Sequence, residues 1–275
     1  VYKGDPASRA EYAAKGLDVL FQALYNLKSR GKEYPLVGMC FDTSAMQAVY
    51  GDNPDLRDEE VRRTFYGMVR DFYMHIPEEF RATAPIDPAK KKTPSYIIRL
   101  TSGKAFSDIV SSFKEYCEKR FAEDFKGAGI VWVASSDFKE KAADMDAYCS
   151  LTSGGGTSYD PDGWLRVAGI GTGFDNSAIS QENPIIISRK GASEYKNDWA
   201  ALLNKKLDWV LIDRWNDYAT GSEISGSRQY GYTYVDQTAI HTLKFRAFRD
   251  YLPAFVRHNT PGEMLPGALY QIDME

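Results

Sequence analysis

The chain has 275 residues and a net charge of −4, from 34 basic and 38 acidic side chains. A hydrophobic share of 43% and a charged share of 26% suit a folded globular protein and exclude global disorder, collagen and coiled coil. No window approaches the ~20 consecutive apolar residues of a membrane-spanning helix, and no basic stripe suggests nucleic acid, so neither partner class is expected.

The basic run Lys90, Lys91 and Lys92 reads as a solvated, Pro-flanked loop. Cys40, Cys117 and Cys149 lie in apolar stretches and are expected as buried thiols. Their spacing suits neither a disulfide framework nor zinc, and no metal or cofactor is expected. Aromatic residues reach 13%, with 18 Tyr, 14 Phe and 5 Trp, which fits rings stacked on sugar faces as well as a large core.

In chain order, residues 5–29 carry Leu17, Leu20, Phe21, Leu24 and Leu27 at spacings of three and four, which predicts an amphipathic helix stopped by Gly31. Residues 35–42 form an apolar run ending in Asp42, as a strand buried on both faces of a parallel sheet reads. A helix over 58–74 follows, with Asp58, Glu59 and Glu60 at its positive end. The pattern then repeats: strand 95–100, helix 105–121, strand 129–134, short helix 138–143 and short strand 146–151. Gly154, Gly155 and Gly156 predict a loop before strand 164–170, helix 193–203, strand 209–213 and a closing helix over 232–251.

Strand–helix alternation predicts a parallel sheet with helices outside it. Neither dinucleotide nor P-loop fingerprint is present, so the expected class is α/β, a (β/α)8 TIM barrel forming one domain over residues 1–275. Only six strands are read, beginning from a helix, and Val1 is neither a start methionine nor followed by a leader. The expectation is that two barrel strands precede it.

In such barrels chemistry sits at the C-terminal strand ends. Those positions hold Asp42-Thr43-Ser44, Arg99 within its strand, Ser135-Ser136-Asp137, the segment from Gly171 to Ser177, and the polar cluster from Asp213 to Glu223. Within the last, Trp215-Asn216-Asp217-Tyr218, Gly221, Ile224, Ser227-Arg228 and Tyr230-Gly231-Tyr232 resemble the closing segment of glycoside hydrolase family 99 and its family 71-like relatives. Gly173-Phe174-Asp175-Asn176, then Arg189, Gly191, Tyr195 and Trp199, and Phe41-Asp42-Thr43 also resemble segments of that family.

The resemblance implies a (β/α)8 barrel that hydrolyses a polysaccharide or glycan and is secreted or periplasmic. It implies two glutamates at work, one assisting attack by the substrate's own 2-hydroxyl and one as general acid/base. The first falls on Asp217; the second falls on Thr220, which cannot protonate a leaving group. Glu223 is the nearest substitute, so Asp217 and Glu223 are the candidate catalytic pair, with Asp42 and Asp175 as other partners across the mouth. Asp42, Arg99, Asp175, Asn176, Trp215, Asn216, Tyr218 and Tyr232 are the candidate substrate contacts.

Each has a structural alternative. Asp217 could tie a loop, Glu223 could be a surface carboxylate, Trp215 a core plug, and Arg99 one half of an inward ion pair; Asp213 and Arg214 could form another. His75, His241 and His258 are paired with no nucleophile, and no Ser/His/Asp or Cys/His signature occurs. The readings carried forward are a glycoside hydrolase, a carbohydrate-binding barrel without its acid, and a sugar-modifying enzyme of another reaction. The oligomeric state is not read from the sequence.

Overall fold

The structure, a computed structural model, describes residues 6–84, 94–141, 144–150, 152, 155–180, 182–247, 256–258 and 272–274. Lys90, Lys91, Lys92, Gly154, and the predicted element ends at Asp5, Ala143, Leu151 and Tyr251 lie outside the described residues. Two compact units form, one from Val1–Ser150 with Asp162–Trp164, the other from Leu151–Pro161 with Leu165–Glu275.

The first unit contains α1 (Pro6–Ser29), β1 (Met39–Phe41), α2 (Ser44–Tyr50), α3 (Glu59–His75), β2 (Thr83–Ala84), β3 (Ser95–Leu100), α4 (Phe113–Asp124), β4 (Gly129–Ala134) and β5 (Ala147–Tyr148). β1, β3, β4 and β5 pair in parallel in that order, and β2 adds antiparallel to β3. The register joins Met39 to Ile98, Ile98 to Trp132, and Ala134 to Tyr148. The interval read as one helix over 105–121 instead holds a 3-10 turn at Gly103–Ala105, then α4 from Phe113. Asp137 explains the turn, because its carboxylate accepts from Ser102 Oγ at 2.7 Å and Gly103 N at 3.0 Å. Those bonds hold the β3 exit in a tight turn.

β1 is not buried on both faces. Met39 and Phe41 point inward while Cys40 is exposed, as strand alternation dictates; Cys117 and Cys149 are buried as expected. α3 forms where a helix is predicted and buries Val61, Phe65, Tyr66, Val69 and Tyr73 along one face. Its cap is Asp58, whose side chain accepts from Glu60 N at 2.7 Å. Asp58→Ala is expected to cost about 1 kcal/mol of stability, read as a lower urea midpoint at unchanged slope. An unchanged midpoint would remove the cap from the account.

The core of this unit takes up much of the aromatic surplus. Ring centroids of Phe41 and Phe65 lie 4.6 Å apart, Tyr73 and Tyr96 5.2 Å, and Phe121 and Phe125 4.3 Å. The first pair is tilted and the other two are stacked, and such contacts let large rings fill a core without voids.

The second unit contains β6 (Gly155–Tyr159), β7 (Val167–Thr172), β8 (Phe174–Asp175), β9 (Ile186–Ile187), α5 (Ser193–Leu203), β10 (Trp209–Asp213), α6 (Thr233–Ala247), β11 (Val256–His258) and β12 (Ile272–Met274). β10 and β7 are parallel, with Asp213 opposite Gly171. β6 pairs antiparallel with β7, so Gly155 and Gly156 begin an edge strand rather than a loop. β8 and β9 make a two-stranded ribbon, and β11 pairs antiparallel with β12. Ala168, Ile170, Tyr195, Trp199, Leu202, Ile224 and Tyr234 form the core. The six strands read from the sequence all form, as β1, β3, β4, β5, β7 and β10, and every pairing among them is parallel.

Candidate functional site

In the second unit, the exits of β7 and β10 position most of the chemistry-bearing residues. Gly173 joins β7 to the ribbon at φ +146°, where a Cβ would collide with the Arg189 stem and Ile187 O. Only glycine admits so close an approach. Asp175, two residues beyond, stays exposed, and its Oδ1 accepts from Ser177 N at 3.0 Å. Hydrogen bonds from Ser177 hold this carboxyl below its usual range.

Asn176 closes the ribbon's loop. Its Oδ1 accepts from Ile185 N at 2.7 Å, and its carbonyl takes the amides of Ile179 and Ser180. The side chain is therefore engaged in shaping the loop.

Beyond β10 the chain makes a 3-10 turn at Tyr218–Thr220, ending at Gly221 in the left-handed region. Arg214 Nη1 donates to Asp217 Oδ2 at 2.6 Å, so Arg214 finds its partner in Asp217; Asp213 accepts from Thr152 N at 3.1 Å. Burial pushes the Asp217 carboxyl up, but hydrogen bonds from Thr220 and Arg214, with the guanidinium charge, outweigh it and leave the carboxyl below its usual range. Thr220, in the position of the resembled family's acid, thus stabilises Asp217 as an anion.

Glu223 lies elsewhere in this loop's chemistry. Its carboxylate accepts from Arg189 Nη2 at 2.7 Å, and both side chains are almost wholly buried. Arg189 also donates to Gly221 O at 2.6 Å and Glu223 O at 2.9 Å, and lies over the rings of Tyr230 at 4.3 Å and Tyr234 at 4.7 Å. The guanidinium clamps the whole 221–223 backbone, a role that an isolated Arg in the sequence did not announce.

Trp215 is 62% exposed, so it is no core plug. Asn216 is exposed beside it, and its carbonyl accepts from Tyr218 N at 2.9 Å. Tyr218 and Tyr232 are exposed as well; the Tyr218 hydroxyl is fixed by Ser225 Oγ at 2.8 Å and Gly226 O at 3.2 Å. A cavity of about 320 Å³ opens between the ribbon and the turn, lined by Phe174, Asp175, Ile186, Ile187, Arg189 and Tyr218 among others. Asp175 and the turn therefore share one wall system, which sequence spacing of more than 40 residues conceals.

Asp42 and Arg99 belong to the first unit. Asp42 is exposed after β1, where Oδ1 accepts from Ser44 N at 3.1 Å at the start of α2. Arg99 is half-buried in β3, and its Nη2 reaches Cys149 O at 3.5 Å. Among the described residues no cluster of His, Cys, Asp and Glu is arranged to hold a metal ion. No described helix is long and apolar enough to cross a membrane.

No protein-family model and no curated protein sequence matches this chain. Solved structures do. A structure described as a glycoside hydrolase-like protein superposes with a TM-score of 0.53 at 12% identity, covering 83% of this chain and 78% of that one. The family 99 endo-alpha-mannosidase of Bacteroides thetaiotaomicron, in complex with Bis-Tris-propane, gives 0.51 at 13% identity, covering 78% and 71%. Another structure of that mannosidase gives 0.47 at 15%, covering 67% of this chain and 63% of the mannosidase, so the chain spans under two thirds of that length. With the parallel strands and flanking helices described above, the first two likenesses show an α/β fold of the (β/α)8 type, like that of glycoside hydrolase family 99.

Proposed function

We propose that this chain binds a glycan at the strand exits of its second unit, in a glycoside-hydrolase-like fold, with Asp217 as the central acceptor of sugar hydroxyls. The observation that carries the reading is the Asp217 carboxylate, held as an anion by Thr220 and Arg214 in a loop that exposes Trp215, Tyr218 and Tyr232. Sugars present hydroxyl donors at their edges and C–H surfaces on their faces. Anionic acceptors beside exposed rings meet both needs. Such a protein works where polysaccharide is met, secreted or in the periplasm.

Hydrolysis is the second reading, favoured by the same ionised carboxylate, which suits a nucleophile or base. It also requires a protonated carboxyl ~5–5.5 Å away for retention or ~6.5–9.5 Å for inversion. Neither of the two sequence candidates in this unit suits that part. Asp175 is itself held ionised, and Glu223 is spent on Arg189.

A panel of neutral and acidic oligosaccharides, tested for binding and for product with the wild type and Asp217→Asn, separates the readings. The expected result is binding without product at neutral pH, weakened about tenfold by Asp217→Asn. Product that Asp217→Asn abolishes would replace the binding reading with hydrolysis, and no binding to any glycan would end both.

The pH dependence has a definite sign. Because the Asp217 carboxyl lies below its usual range, its charge persists from neutral pH down to the ordinary carboxylate range near pH ~4. Affinity attributable to Asp217 should stay flat over that interval and fall only on further acidification. A loss of affinity already complete at pH 5–6 would assign the binding to another group.

A further inference from the structure

We infer that the cavity between the ribbon and the 218–221 turn selects an uncharged sugar unit with an apolar edge, such as a 6-deoxyhexose, and rejects hexuronic acids. The inference rests on the glycan-binding reading and narrows its ligand. Two features of the cavity carry it, its uncompensated negative charge and its aliphatic wall.

The charge comes from Asp175. Its carboxylate lines the cavity, is exposed, and is kept ionised by hydrogen bonds from Ser177. Arg189 is the one cation among the lining residues, and it is committed: Glu223 neutralises it at 2.7 Å, while Gly221 O and Glu223 O take its other donors. A uronic acid carboxylate entering this space meets Asp175 and finds Arg189 already paired. Anion recognition normally requires a guanidinium with donors to spare.

The wall comes from the ribbon. Ile186 and Ile187 line the cavity with Phe174 and Ala178, and Ile186 is 63% exposed. Ile179 and Ile185, in the segment between the ribbon's two strands, are exposed too. Leaving Ile186 in water forgoes the burial that its side chain normally supplies in a core. Against this wall a methyl group gains and a hydroxymethyl group loses, because the wall offers its hydroxyl no partner. Ser177, Ser188 and Gln229 also line the cavity and offer polar groups for the ring hydroxyls.

The test uses the full chain and titrates matched oligosaccharides differing in one unit: 6-deoxyhexose, hexose or hexuronate. The methyl-bearing ligand should bind about fourfold tighter than the hexose, the increment expected for one buried carbon. The hexuronate should bind about fivefold weaker at low ionic strength, with the gap closing as salt is added. Asp175→Asn keeps an acceptor for Ser177 N and should raise the hexuronate-to-hexose affinity ratio about fivefold. Ile186→Ser should erase the 6-deoxy preference. Hexuronate binding as tightly as hexose, or a ratio unmoved by Asp175→Asn, overturns this inference while the glycan-binding reading stands. Absence of binding to all three ligands overturns both.

Discussion

Arg189→Met is expected to destabilise the chain by about 3–5 kcal/mol, the typical cost of leaving one member of a buried ion pair behind. The substitution strands the Glu223 carboxylate, which is almost wholly buried, and frees the carbonyls of Gly221 and Glu223 that the guanidinium holds. It also removes the cation seated over Tyr230 and Tyr234. Glu223→Gln should cost less, because Arg189 keeps both carbonyls and both rings. Replacing the pair together, Arg189→Met with Glu223→Leu, should recover a large part of the loss, since neither charge is then stranded. Urea denaturation of the four proteins measures this coupling. Additive losses would show that the two side chains act separately. The same series bears on catalysis: an acid at Glu223 predicts lost turnover with little lost stability in Glu223→Gln, whereas a clamp predicts the reverse.

Trp132→Ala is expected to cost a similar ~3–5 kcal/mol, here by opening a cavity. Trp132 is fully buried in β4, with its ring 5.7 Å from that of Phe113 and its Nε1 donating to Glu118 Oε1 at 3.1 Å. Its backbone amide is fixed separately, by Asp146 Oδ2 at 2.8 Å, so the strand anchor survives the truncation. Trp132→Phe keeps most of the volume and loses the indole hydrogen bond, so it should cost markedly less. Circular dichroism during urea unfolding separates the two variants. Equal costs would place the loss in the hydrogen bond rather than in the packing.

These two positions differ in how visible they were. Trp132 lies in the apolar run of residues 129–134, and that run alone marks a strand with buried side chains. Arg189 sits between Ser188 and Lys190, in a stretch with no periodicity, and nothing local distinguishes a buried clamp from a solvated Arg. Its partner is 34 residues away. Glu223 misleads for the same reason: its distance from Asp217 along the chain suggests a carboxylate pair, while its side chain turns toward Arg189. Thr220 was read only as the loss of an acid; its bonds give it a positive role, keeping Asp217 charged.

The aromatic surplus likewise divides by tertiary context. Composition cannot separate a ring in the core from a ring in a cleft, and the first unit's core absorbs many of them. Trp215, Tyr218 and Tyr232 are among the exposed rings, with Tyr25, Tyr159 and Trp164.

The sequence by itself determined the α/β class, the six parallel strands, the acidic start of the helix at 58–60 and the strand exits where polar residues gather. Those features rest on hydrophobic period, the charge preference of a helix start and the apolar runs that parallel strands require, all of which act within one element. Only the tertiary structure decided which charges meet, that β6 joins β7 antiparallel, that Cys40 faces outward, and that Asp175 and the 218–221 turn line one cavity. Ion pairing and burial depend on atoms brought together from distant segments, and a linear pattern carries the charges without their partners.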